Sequence, residues 1–306
     1  MQRIVACLLT LLTGAGWAAA PQYRLVRLWT NPEGMPHPLR EAHAACFDRD
    51  GNVIVVDSIG ARVHRFTPEG RWLGEIGAGP GSAPGQFQGP REATVNRAGD
   101  IYIADSNNHR IQVFTPEGRF LRAFGEKGSG PGQMLRVHGL AFSPDQRRLY
   151  VVDVDNQRVS VFDPAGKFLF AFGQRGERPG QFRDPHGIGV DGRGHVYVGN
   201  YNGPVQKFTA QGKFLHEYGP VGFRGWIHFH NLTADRRGNV YLAARDAGGK
   251  NAVVIYDRRG AFVSEWTGPV EGRPLQLKSA LADAAGRVWV TIETGQRHGL
   301  ALLERK

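Results

Sequence analysis

Six short apolar runs recur along the chain: VIVV from Val53, IYIA from Ile101, LYVV from Leu149, VYVG from Val196, VYLA from Val240 and VWVT from Val288, with successive starts 48, 48, 47, 44 and 48 residues apart. A unit of this length cannot bury its own apolar face and must stack against copies of itself. Before each run stands an apolar segment ending in a turn (DRDG, NRAG, SPDQRR, DGRG, DRRG, DAAG). After it come a polar loop and a third segment such as RVHRF, RIQVF or RVSVF. A turn such as TPEGR or DPAGK then leads to a fourth, for example RFLRAFG or KFLFAFG. Four short strands at this period make a propeller blade. The 42 glycines and 18 prolines among 306 residues suit many turns and few helices.

The last repeat stops after three strands, at ALLERK, whereas YRLVRLW, from Tyr23 to Trp29, has the alternation of the missing fourth. Pairing the two would remove two free edges and close the ring. The expectation is therefore an all-β, six-bladed propeller of four-stranded antiparallel blades, with the N-terminal strand completing the C-terminal blade. The recurrent pattern, clearest in GDIYIADSNNHRIQVFTPEGRFLRAFGEKGSGPGQM, resembles the NHL-repeat family, whose fold is a six-bladed propeller. That resemblance covers residues 21–306 and implies a fold, because such propellers serve as enzymes, sensors and binding platforms alike.

Residues 1–20 read as a signal peptide. Arg3 precedes the apolar stretch IVACLLTLLTGAG, and small residues give cleavage after Ala18 or Ala20. Cys7 stands too early in that stretch for a lipid-modified cysteine. The expectation is a soluble periplasmic or extracellular protein with no transmembrane segment. It would keep only Cys46, so no internal disulfide forms, and Cys46 is expected to be a small buried hydrophobe. The net charge of +10 raises the question of an acidic partner. Export argues against nucleic acid, and the basic residues are scattered at turns such as Arg71, Arg119, Lys167 and Lys213.

Counting back from the turn that ends each first strand gives one equivalent position per blade: His43, Arg91, His138, His186, His230 and Lys278. In a propeller the first strands line the central channel, so these six side chains are expected to converge at its mouth. The loops between second and third strands share that face and bring Asn200 and Tyr201, Arg245 and Asp246, and Glu293. Bunched cations would repel one another, and burial would keep the imidazoles neutral, ready for a metal or an anion. His43, His138 and His230, from alternate blades, could give three nitrogen ligands and leave an open position, as catalytic zinc requires. Arg91, His186, Lys278 and Glu293 suit binding of an anionic or polar ligand group.

The alternate-blade histidines resemble the zinc site of the peptidyl-hydroxyglycine amidating lyases, which are also six-bladed propellers. The local match lies in HNLTADRRGNVYLAARDAGGKN, where the resemblance makes His230 a ligand and Arg245 the loop arginine, and in VGNYNGPVQKF, where it makes Tyr201 the catalytic tyrosine. The family's second arginine would have to be replaced by Arg91, and an acidic residue expected beside one ligand is Ala44 here. Two readings follow: a scaffold binding a peptide, protein or glycan on its loop-rich face, or a zinc-dependent lyase or hydrolase.

Three further patterns read as scaffold. Asp57 with Arg62, Asp105 with Arg110 and Asp153 with Arg158 recur at a spacing of five and are expected to brace loops as ion pairs. GAGPGSAPGQF and its two counterparts join blades and lack the ending of a phosphate loop. Asn231 heads an N-x-T glycosylation triplet whose place beside the ring argues against its use.

Overall fold

The computed structural model describes residues 22–31, 34–201, 203–219, 228–245, 248–267, 276–295 and 297–306, with the backbone alone for 228–230. The expected signal peptide, residues 1–20, lies outside the described residues. Strand β1 (Tyr23–Thr30) comes first. Blade one is β2 (Ala42–Phe47), β3 (Val53–Asp57), β4 (Arg62–Phe66) and β5 (Trp72–Ile76); blade two is β6 (Pro90–Val95), β7 (Ile101–Asp105), β8 (Arg110–Phe114) and β9 (Phe120–Phe124). Blade three is β10 (Val137–Phe142), β11 (Leu149–Asp153), β12 (Arg158–Phe162) and β13 (Phe168–Phe172). Blade four is β14 (Pro185–Val190), β15 (Val196–Asn200), β16 (Val205–Phe208) and β17 (Phe214–Tyr218). Blade five is β18 (His228–Ala234), β19 (Val240–Arg245), β20 (Asn251–Tyr256) and β21 (Phe262–Trp266). Blade six is β22 (Gln276–Ala282), β23 (Val288–Thr294), β24 (Arg297–Arg305) and, from the other end of the chain, β1.

The six antiparallel sheets bear out the propeller reading. β1 pairs with β24 from Tyr23 opposite Arg305 to Thr30 opposite Gly299, which is the expected closure. Among the described residues no helix is long and apolar enough to cross a membrane.

The second strands are continuous apolar runs because each is covered on both faces by a neighbouring blade; Val53, Ile54, Val55 and Val56 are all fully buried. The core therefore lies between blades. Tyr241, Val253 and Ile255 of blade five pack on Ala280, Val288 and Val290 of blade six, and the other seams repeat the scheme. Nearest the axis the backbones themselves touch. A Cβ on Gly187 would lie 2.3 Å from the Leu232 nitrogen, and one on Gly139 would lie 2.7 Å from the His186 oxygen.

The glycine-rich segments are inter-blade loops, as expected. Each plugs a seam with one fully buried side chain: Phe87, Met134 or Phe182.

Candidate functional site

Every first strand is bulged at the position that the repeat singles out. Pairing skips His43, His230 and Lys278 singly, and skips Arg91 with Glu92, His138 with Gly139, and His186 with Gly187. A bulge re-aims the residue it frees. Six such bulges in phase bring the side chains of His43, Arg91, His138, His186 and Lys278 to one end of the channel, with the sixth bulge at His230.

The entering loops are pinned from below. Asp57 accepts the amides of Arg40 and Glu41 at 2.8 and 2.9 Å, Asp105 that of Gln88 at 2.7 Å, Asp153 that of Leu135 at 3.0 Å, and Asn200 that of Arg183 at 3.1 Å. The three carboxyls are fully buried, and desolvation raises them above the usual carboxylate range against those bonds. The expected ion pairs form in blades two and three, Arg110 to Asp105 at 2.8 Å and Arg158 to Asp153 at 3.4 Å. In blade one Arg62 turns instead to Glu75, at 2.6 Å, because of these three blades only the first has a carboxylate on its fourth strand. The amides of Ser58, Val154 and Tyr201 donate to the carbonyls of Glu41, Arg136 and Asp184, tying the loops after the second strands to the entering loops on one face. Blades five and six differ: their hairpins run further, so Arg245 pairs with Asn251 and Glu293 with His298 inside strands and not in the expected loops between second and third strands.

At the mouth the rings of His43 and His138 are 5.0 Å apart, those of His138 and His186 4.4 Å, and those of His186 and Tyr201 4.9 Å. All three histidines are buried. His43 donates its Nδ1 hydrogen to the Arg91 carbonyl at 2.9 Å, and His186 donates Nδ1–H to the Asp184 carbonyl at 3.0 Å. Because a carbonyl can only accept, both rings carry a hydrogen on Nδ1, which leaves Nε2 as the nitrogen that a neutral ring would offer as an acceptor. Desolvation lowers the His186 pKa, with the Asp184 carbonyl and carboxylate opposing it.

The cations are not bare. Lys278 pairs with Glu41 at 3.2 Å. Glu41 also favours the charged form of Arg91, whose pKa burial depresses. Arg136, two residues ahead of the repeat position, pairs with Asp155 at 2.9 Å and with Asp184 at 3.1 Å. Arg245 is exposed and Glu293 half-buried. The side chain of His230 and all of Asp246 lie outside the described residues. Beside the mouth, Glu41, Ile59, Pro80, Phe87, Arg91 and Asn107 help line a pocket of about 460 Å³.

One residue of the channel escaped the sequence reading. Glu92 is buried, accepts the Ala93 amide at 3.1 Å, and accepts a hydrogen from Asn231 Nδ2 of blade five, across the ring. Asn231 in turn lies 3.4 Å from Ser279 Oγ and accepts the Leu232 amide at 2.7 Å. Buried at 1% exposure, Asn231 is closed to glycosylation in the folded protein. Burial pushes the Glu92 carboxyl up to about 8, with the two hydrogen bonds opposing, so Glu92 is an uncharged acid at neutral pH. The signal for it was in the repeat. The residue after the ring position is Ala44, Glu92, Gly139, Gly187, Asn231 or Ser279, and one long acid stands among small and polar groups. Glu92 also borders a cavity of about 350 Å³ toward the opposite face, with Cys46, which is half-buried rather than fully enclosed.

Among the described residues no three His, Cys, Asp or Glu side chains are arranged to hold a metal ion. The described part of the expected ligand set is His43 and His138 alone.

Residues 87–114 match the NHL repeat, and residues 131–220 match the SMP-30/Gluconolactonase/LRE-like region. No curated protein matches. Among solved structures, the chain is similar to a selenomethionine-substituted virginiamycin B lyase from Staphylococcus aureus, at 16% identity, 88% of this chain, 82% of that chain and a TM-score of 0.60. It is similar to a streptogramin B lyase at 16% identity, 93% and 98% coverage and a TM-score of 0.60. It is also similar to a catalytically inactive histidine-to-alanine form of the Staphylococcus aureus enzyme with quinupristin, at 17%, 88% and 82%, with a TM-score of 0.60. At these identities the likeness is one of fold.

Proposed function

We propose that this six-bladed propeller of NHL and SMP-30 type is an exported binding protein that receives a peptide, protein or glycan at the histidine-lined mouth of its channel. The observation that carries this reading is the convergence of three buried imidazoles, Tyr201 and Arg91 beside a pocket of about 460 Å³. A neutral imidazole accepts a hydrogen bond through its unprotonated nitrogen, a tyrosine hydroxyl donates or accepts, and the half-buried Arg91 guanidinium suits a carboxylate or similar anion. Ile59, Pro80 and Phe87 give the neighbouring pocket an apolar wall for a non-polar part of the same ligand. The test is an array of acidic and neutral peptides and glycans probed with wild type and Arg91→Ala. The reading requires acidic hits that the variant loses; an unchanged hit list would defeat it. Export is checked by N-terminal sequencing of protein recovered from its own cells, which should start at Ala19 or Pro21.

A second reading, a zinc-dependent lyase or hydrolase, is supported by the tautomers. A histidine that ligates a metal through one nitrogen usually donates the other ring N–H to a carbonyl or carboxylate, as His43 does. His43, His138 and His230 would hold the ion, which when bound would polarise a substrate oxygen. Tyr201 would sit as the proton-moving group, with Arg245 and Arg91 as substrate-holding cations. The described residues alone do not make that set. Metal analysis of protein purified without chelator decides it: about one zinc per chain, lost in His138→Ala, supports the enzyme, and no bound metal in wild type removes it.

A further inference from the structure

On the face opposite the mouth, five of the six seams between blades are closed by one device. A side chain donates to a carbonyl in the turn between the third and fourth strands of the next blade. Arg27 of blade six reaches Pro68 of blade one at 3.2 Å, and Arg65 of blade one reaches Pro116 of blade two. Tyr102 and Arg122 of blade two reach Pro164 at 2.8 and 2.6 Å, Tyr150 of blade three reaches Ala210 at 2.9 Å, and Lys207 of blade four reaches Arg258 at 2.9 Å. From blade five to blade six there is no such turn to reach, because β1 is not the chain continuation of β24. Tyr241, the blade-five counterpart of Tyr102 and Tyr150, points its hydroxyl back to Asp235 of its own blade at 3.2 Å.

In place of the turn is a cleft of about 810 Å³, lined by Tyr23, Tyr241, Val263, Arg236, Arg237 and Arg305 among others. That volume falls within the range of small-molecule sites. Asp235 and Asp283 also border the cleft, but both carboxylates are engaged by their turns. Asp235 accepts the Arg237 and Asn239 amides, the Asn239 side chain and the Tyr241 hydroxyl. Asp283 accepts the Ala285 and Arg287 amides, Arg287 Nε and Trp289 Nε1. Arg305 stands close enough to the Tyr23 phenol to act on it electrostatically. Among the described residues none of the three arginines has an ion-pair partner, so the cleft has cations on its rim and aromatic and aliphatic surface within.

We infer that this seam is a second binding site, for a small organic anion whose acid group meets Arg236, Arg237 and Arg305 and whose apolar body lies against Tyr23, Tyr241 and Val263. The site is separate from the mouth and does not rest on the reading given to it. The test uses 1-anilinonaphthalene-8-sulfonate, an acid group on fused rings, in fluorescence titrations of the full chain. Wild type should show a saturable component that Arg236→Ala/Arg305→Ala weakens about tenfold or more, as expected for loss of charge-assisted hydrogen bonds, and that Arg91→Ala leaves unchanged. The same component should weaken as salt rises from about 0.05 to about 0.5 M. Both arginines are at the surface, and an unchanged melting temperature will show that the double variant is folded. Equal affinity in the double variant would overturn the proposal. So would the lack of a saturable component in wild type, as expected if a second copy of the chain fills the cleft.

Discussion

Replacing Glu92 by glutamine keeps the length and shape of the side chain and removes its titration. In the folded protein the carboxyl is raised from an ordinary 4.5 to about 8. An acid whose pKa is raised on folding binds its proton more tightly in the native state, so its share of stability is complete below about 4.5 and is lost as pH rises toward 8. At about 1.4 kcal/mol per pH unit, the window from 4.5 to 8 corresponds to at most about 5 kcal/mol. With a urea m-value of about 3 kcal/mol/M, that is a midpoint shift of up to about 1.5 M. Urea unfolding of wild type and Glu92→Gln from pH 5 to pH 9 measures it, because other titrating groups are common to both and cancel. The wild type should lose stability relative to the variant as pH rises, with the gap levelling off above about 8. Parallel curves across the whole range would refute the reasoning and show that Glu92 is already ionised in the channel.

Deleting Tyr23–Trp29 should expose β24 and the blade-one edge of the ring, lower the melting temperature by more than about 10 °C and bring the protein into the insoluble fraction; a soluble truncation with an unchanged melting temperature would remove the closure argument. Gly187→Ala should cost about 3 kcal/mol in chemical unfolding, since its Cβ would meet backbone of the next blade and not a movable side-chain end, and a cost near zero would mean that blades four and five can part without penalty. Asp153→Ala should cost about 3 kcal/mol by leaving the Leu135 amide, Asn156 and Arg158 short of an acceptor, with urea midpoints as the check.

The position of the mouth was legible in the sequence because a bulge that recurs in phase leaves a recurring residue class, so His43, His138 and His186 could be placed together without coordinates. Which ring touches which was not legible. His138 contacts both His43 and His186, and that depends on the tilt of each first strand about its own bulge, which the period does not encode. The Asp57–Arg62 pair was misread for a related reason: the competing acceptor, Glu75, lies on the neighbouring strand β5, 13 residues further along the chain and beyond the reach of a local spacing rule. Glu92 was missed because strand alternation makes it look like an ordinary neighbour of Arg91, and only the length of its side chain carries it across to Asn231.

The pairing of Thr30 with Gly299, about 270 residues apart in the chain, also sets an order of events during synthesis. At about 5 to 20 residues per second, the ribosome releases the first strand roughly 15 to 55 s before its partner exists. Five blades can condense in turn as they emerge, while β1 must wait as an unpaired, half-apolar segment. The step that completes the molecule is therefore its last to become possible, and any factor that shields or occupies the stretch from Tyr23 to Thr30 in that interval controls the yield of closed rings.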